Sequence, residues 1–180
     1  MTSLVVVFWM FVILFGIIGA MRGWAKELMV TFSVILALFI ISLLEQFVPI
    51  LRDGGGLPES TRFWIRTLII VLLVFFGYQT PNIRAIAGAR FARERIQDTL
   101  LGLIIGAVNG YLVVGSIWYY MDQAGYPLAP YFVAPTPSDA FGEVAISIID
   151  KMPPAILLDP SWVIYFAVAI AFLFVVVVFV

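Results

Sequence analysis

The residues of this chain that could do chemistry are few, and most lie at the ends of long apolar runs. Its 180 residues include 11 Asp or Glu and 10 Lys or Arg, with no His and no Cys. Without Cys there is no disulfide framework, thiolate nucleophile or iron–sulfur ligand, and without His there is no imidazole for haem or zinc, so no cofactor or metal is expected. An enzyme would need Asp, Glu or Lys converging at membrane depth or in a folded loop. The sequence places none together, and no enzymatic activity is expected.

Four groups of polar residues remain. Arg22 and Lys26 sit in a short basic connection followed by Glu27, which could pair with it. Arg62 and Arg66 stand one helical turn apart at the start of an apolar run, where long side chains are expected to snorkel to the interface. Arg84, Arg90, Arg93 and Arg95 form the most basic stretch, suited either to anionic lipid headgroups or an acidic partner, or to setting topology alone. Glu94 and Asp98 dilute that stretch and only a single aromatic residue, Phe91, interleaves it, so nucleic acid is not an expected partner. Asn109 is the one amide well inside an apolar run, and its expected role is a single interhelical hydrogen bond.

The elements that must position these residues are membrane spans. Hydrophobic residues make up 63% of the chain and charged residues 12%, against about 25% charged in ordinary soluble domains, and mean hydropathy is +1.11. The expected architecture is all-α and polytopic, with about five spans: 4–21, 25–48, 63–78, 99–121 and 162–180. The first run has no basic leader and no small-residue cleavage site, so it is read as a retained span. The connection 22–26 is so short that the first two spans should form a tight hairpin. In the stretch 122–160, Thr136-Pro137-Ser138-Asp139 reads as a helix start. Phe141, Val144, Ala145, Ile148, Ile149 and Met152 then share a face opposite Glu143, Ser147, Asp150 and Lys151, which predicts a short helix on the membrane surface. The expected organisation is a four-helix bundle over 1–121, an extracytoplasmic loop with the amphipathic helix over 122–160, and a fifth span over 161–180.

Small residues mark where helices should meet. Thr99, Gly102, Gly106, Asn109, Val113, Ser116 and Tyr120 recur at alternating steps of three and four, with Gly110 at the margin of the stripe. Val12, Gly16, Gly19 and Gly23 form a second such stripe. Lipid tails give helices little hydrophobic reason to associate, so glycine is favoured where backbones approach for dispersion and weak hydrogen bonds. Residues 17–24 also match 104–111 at five identical positions, which fits convergent packing better than duplicated halves. The expected helix-packing residues are Gly16, Gly19, Gly23, Gly102, Gly106, Asn109, Gly110 and Ser116.

With these residues in view, the sequence resembles the CvpA family, the colicin V production proteins, which are small bacterial inner-membrane proteins of about four spans. One signature resembles Arg22-Gly23-Trp24-Ala25-Lys26-Glu27-Leu28. The other, an acid before a Gly-x-x-x-Gly-x-x-x-Gly helix, resembles Asp98 followed by Gly102, Gly106 and Gly110. The resemblance covers about residues 4–154 and implies family-motif roles for Arg22, Gly23, Glu27, Asp98, Gly102, Gly106 and Gly110. Where the family has two further arginines this chain has Thr99 and Asn109, so a role tied to those charges does not carry over. A fifth span also departs from the usual four.

The resemblance implies a role in bacteriocin production or at the envelope, and a non-enzymatic accessory or scaffold subunit is the expected function. Its partners would be membrane lipids and other integral membrane chains or copies of itself. A small-solute or peptide export component is the rival. Arginine placement favours an outside N-terminus and an inside C-terminus in the bacterial inner membrane. Arg22, Lys26, Arg84, Arg90, Arg93 and Arg95 would then lie inside, against Arg52, Arg62, Arg66 and Lys151 outside.

Overall fold

The computed structural model describes residues 3–52, 54–79 and 92–179, with side chains in the last stretch described from 96 to 177. All regular structure among these residues is helical: α1 (Leu4–Arg22), α2 (Trp24–Phe47), α3 (Glu59–Tyr78), α4 (Ala92–Gln123), α5 (Gly142–Ile149), α6 (Pro153–Leu157) and α7 (Trp162–Phe179). Four of them, α1 to α4, are long and apolar enough to cross a membrane, and a fifth crossing is counted when Gly142–Leu157 and Trp162–Val177, bent by 63°, are taken together.

Helix boundaries follow local chemistry. One residue, Gly23, separates α1 from α2; at φ 86° and ψ 156° it adopts a backbone that disfavours side chains, and its N–H closes α1 on the Gly19 carbonyl at 2.9 Å. Pro49 stops α2 and opens a 3-10 turn. Arg52 folds back to donate to the Gln46 carbonyl at 2.6 Å, placing a cation on the negative end of α2. Pro58 precedes α3, which starts at Glu59, four residues ahead of the expected apolar run.

The central helix is α2. Val30, Val34, Ala37, Leu38 and Ile41 on α2 and Ile70 on α3 are sealed from solvent, and α2 packs on α3, α4 and α7. The expected tight hairpin is only a tight turn: α1 touches α2 little and lies instead against α4, more extensively than any other pair of helices. Glycines on α1 and α4 allow this approach, whereas the bulky α2 face opposes larger partners. One face of α7 rests on α2, with Ile164 and Ala171 buried and rings paired as Phe39–Tyr165 and Phe32–Phe174.

These contacts define two ends of the bundle. Phe8, Trp118, Arg66, Gln123, Gln46 and Tyr165 gather at the Ser3 end, while Arg22, Tyr78 and Asp98 gather at the Gly23 end. At the Ser3 end, α4 stops at Gly125 and Tyr126, both with positive φ. Burial pushes the Tyr126 phenol pKa up, and its oxygen accepts from Trp118 Nε1 at 3.3 Å.

The stretch after α4 differs from its sequence reading in two ways. Thr136 to Asp139 forms a turn and not a helix start: Asp139 turns its carboxylate back onto the Thr136 N–H at 2.8 Å, and α5 begins only at Gly142. Ala145, Ile149 and Met152 are buried in the bundle, while Phe141 and Val144 are exposed. The apolar face of the amphipathic segment is thus taken up largely by protein, where a surface helix would turn it to lipid.

Candidate functional site

The interior of the Gly23 end holds a polar cluster assembled from four helices. Glu27 lies in the first turn of α2, where the helix dipole favours an acid, and is fully buried. Arg22, the last residue of α1, donates from Nη1 to Glu27 Oε1 at 2.6 Å and from Nη2 to the Tyr78 carbonyl at 3.2 Å. Its guanidinium carbon sits 4.2 Å from the centre of the Tyr78 ring, a cation–π contact with the end of α3. The other carboxylate oxygen, Oε2, accepts from Asn109 Nδ2 on α4 at 2.8 Å. Asn109, also fully buried, reaches the Glu27 carbonyl at 2.9 Å, and its Oδ1 accepts from the Thr31 hydroxyl at 2.7 Å. Both oxygens of a buried acid are therefore held, the condition under which such a group is tolerated away from water.

Beside this cluster α1 crosses α4 with the backbones in contact. A Cβ built at Gly19 would overlap the Gly102 carbonyl oxygen, and one at Gly102 would overlap the Gly19 carbonyl. A Cβ at Gly106 would overlap the Phe15 carbonyl and lie 2.9 Å from Gly19 Cα. At Gly110 it would come within 2.9 Å of Val12 Cα, and at Gly16 within 3.3 Å of the Leu103 carbonyl. Gly23 lies in the turn and not on a helix face; a side chain there would meet the Asp98 carboxylate at 2.7 Å, which itself accepts from the Trp24 N–H at 3.1 Å. Ser116 is buried and donates to the Leu112 carbonyl of its own helix at 2.6 Å.

The structure thus brings Arg22, Gly23, Glu27, Asp98, Gly102 and Gly106 to one end of the bundle, with Gly110 one turn further along α4 against the middle of α1. It does not bring the basic stretch into view: Arg84 and Arg90 lie outside the described residues, as do the side chains of Arg93 and Arg95.

A second polar cluster occupies the Ser3 end and corrects the expected snorkelling. Arg62 and Arg66 are buried, 2% and 6% exposed. Arg66 Nε donates to Glu45 at 2.6 Å and Nη1 to Gln123 at 3.0 Å, with the guanidinium 4.7 Å from the Tyr120 ring centre; Arg62 pairs with Glu59. Acids on adjoining turns and helices hold both cations inside the protein, which removes the reason to reach for headgroups.

Sequence reasoning missed Thr31, Tyr78, Glu45 and Gln123 as partners. For Glu45 a signal existed: antiparallel helices joined by a short loop bring an acid near the end of one beside a base near the start of the next. Two single glycines were also missed. Gly77 on α3 lies against Ser33 and Val30 of α2, and Gly115 on α4 lies against Met152 and Pro153.

Among the described residues no group of three or more His, Cys, Asp or Glu is placed to hold a metal. The geometry joins helices at both ends through the ion pairs Arg22–Glu27 and Arg66–Glu45, with a buried apolar layer between. No curated protein and no solved structure matches the chain. The family model for the colicin V production protein matches residues 5–135, which takes in the first four helices and both signature stretches. The chain, a multi-pass membrane protein by its helices, belongs to the colicin V production protein family.

Proposed function

We propose that this protein is a non-enzymatic accessory or scaffold subunit of the bacterial inner membrane, serving bacteriocin production or the envelope through helix–helix association. The observation that carries this reading is the closed interior. In the two clusters the Glu27 carboxylate is held by Arg22 and Asn109 and Arg66 by Glu45 and Gln123, and the layer between them is filled by Val30, Val34, Leu38, Ile41 and Ile70, none more than 1% exposed. A protomer packed in this way acts through its outer surfaces. Those surfaces are bulky: Leu68, Leu72, Phe75 and Phe76 on α3, and Phe166, Ile170, Leu173 and Val177 on α7, face outward for lipid or another chain. In this reading Gly16, Gly19, Gly102, Gly106 and Gly110 act as a glycine zipper within the chain, and the N-terminus lies outside the cytoplasm.

Purification in mild detergent followed by mass measurement of the intact assembly tests the proposal. The expected result is a defined complex with other membrane chains. A homo-oligomer enclosing a wet axis would overturn it in favour of a solute or peptide export component.

A further inference from the structure

The segment between α4 and α7 penetrates the bundle to a depth that a surface helix does not reach. Its upper part is level with the start of α1, since Gly142 and Ala145 share a cavity wall with Ser3 and Leu4. Its lower part lies far down α4. Met152 and Pro153 press on Gly115, at 2.9 Å from where a Cβ would sit, and the Lys151 carbonyl accepts from the Tyr111 hydroxyl. Tyr111 lies twelve residues before the end of α4 at Gln123, about 18 Å at the helical rise. It directly follows Gly110, which packs between Val12 and Phe15, the middle of α1. A span of nineteen residues is about 28 Å long, close to the thickness of the hydrocarbon layer. The turn at Asp150 and Lys151 therefore sits well inside that layer, between its middle and the Ser3 surface.

What this segment turns outward includes a polar stripe, flanked by exposed Val144, Ile146 and Ile156. Ala145, Ile149 and Met152 are buried, whereas Glu143, Ser147, Asp150 and Lys151 are exposed, so one polar stripe descends along α5 into the turn. Neither Asp150 nor Lys151 makes an ion pair among the described residues. A backbone turn and the charged side chains of Asp150 and Lys151 facing hydrocarbon would each lack hydration, and irregular backbone at this depth is tolerated only against protein or water. From these contacts we infer that residues 142–157 form a re-entrant segment whose polar stripe is hydrated, opening a water-filled notch from the Ser3 side to the level of Tyr111. The notch ends at the close-packed α1–α4 glycines, so it is blind and compatible with a closed interior.

The chain has no cysteine, so single-cysteine variants of the full protein in its own membrane report without background. Ser147→Cys and Lys151→Cys keep every backbone contact named above. Tyr131→Cys in the exposed loop serves as the aqueous reference and Leu68→Cys at mid-α3 as the lipid-facing one. The expected result is that a membrane-impermeant maleimide labels Ser147→Cys and Lys151→Cys to the same extent as Tyr131→Cys and leaves Leu68→Cys unlabelled. A fluorophore at Lys151→Cys should meanwhile be quenched most by nitroxides placed deep on lipid chains. Labelling at Lys151→Cys as weak as at Leu68→Cys would overturn the inference, since lipid or a partner chain would then cover the stripe. Full labelling with quenching only by headgroup nitroxides would overturn it too, returning the segment to the surface.

Discussion

Replacing Asn109 by leucine strips one partner from the Glu27 carboxylate and another from the Thr31 hydroxyl, 2.8 and 2.7 Å away. Leaving the buried carboxylate oxygen unsatisfied costs about 1–3 kcal/mol, so Asn109→Leu should lose about that much stability and unfold at a lower temperature in detergent. Asn109→Asp should be worse, because it sets a second carboxylate against the first and two acids that close cannot both ionise comfortably. Equal loss in the two variants, measured by thermal unfolding, would show that the contact with Glu27 is not electrostatic. The sequence makes Asn109 conspicuous as an amide inside an apolar run. It does not reveal Glu27 as its partner, because the two are 82 positions apart and only the packing of α4 on α2 joins them.

At the scale of elements, Gly106→Leu should destabilise the protein by more than the roughly 1–3 kcal/mol of an ordinary overpacked site, while Ile105→Leu should be nearly silent. The leucine would strike backbone atoms of Phe15 and Gly19, which cannot rotate away as a side chain can. Equal expression and thermal stability of the two variants would remove the packing argument. The stripe was readable because glycines at three- and four-residue steps leave a mark. Gly77 and Gly115 leave none, being single small residues whose partners, Ser33 and Pro153, sit on other elements. The helix start expected at Thr136 failed for a related reason: the same Ser, Thr, Pro and Asp side chains that cap helices also close free-standing turns, and here Asp139 does the latter.

For the whole molecule, topology and assembly are separately testable. With the N-terminus outside, a cysteine at Ala89 should be labelled only from the cytoplasmic side and one at Gly55 only from outside; the reverse pattern inverts the orientation and keeps the helix count. Deleting Trp162 to Val180 should leave α1 to α4 inserted and folded, since α7 touches the bundle mainly through α2, yet detach the protein from its complex. Undiminished co-purification of the truncated protein with the same partners would make α7 a lipid-facing appendage. The number of long helices could be read from hydropathy alone, because a bilayer imposes a length on each. Which helix lies against which could not, and neither could the descent of α5, whose amphipathic pattern suits a membrane surface and a protein groove equally well.

The preference of α1 for α4 over its neighbour α2 bears on how the chain is made. As the protein leaves the ribosome, α1 and α2 enter the bilayer first, yet the backbone groove that fits Gly19 does not exist until Gly102 and Gly106 have been synthesised. During that interval Glu27 has Arg22 beside it in sequence but no Asn109. Until the fourth helix arrives, one Glu27 carboxylate oxygen therefore lacks the amide that claims it in the folded protein, and completing α4 is what lets this acid be buried.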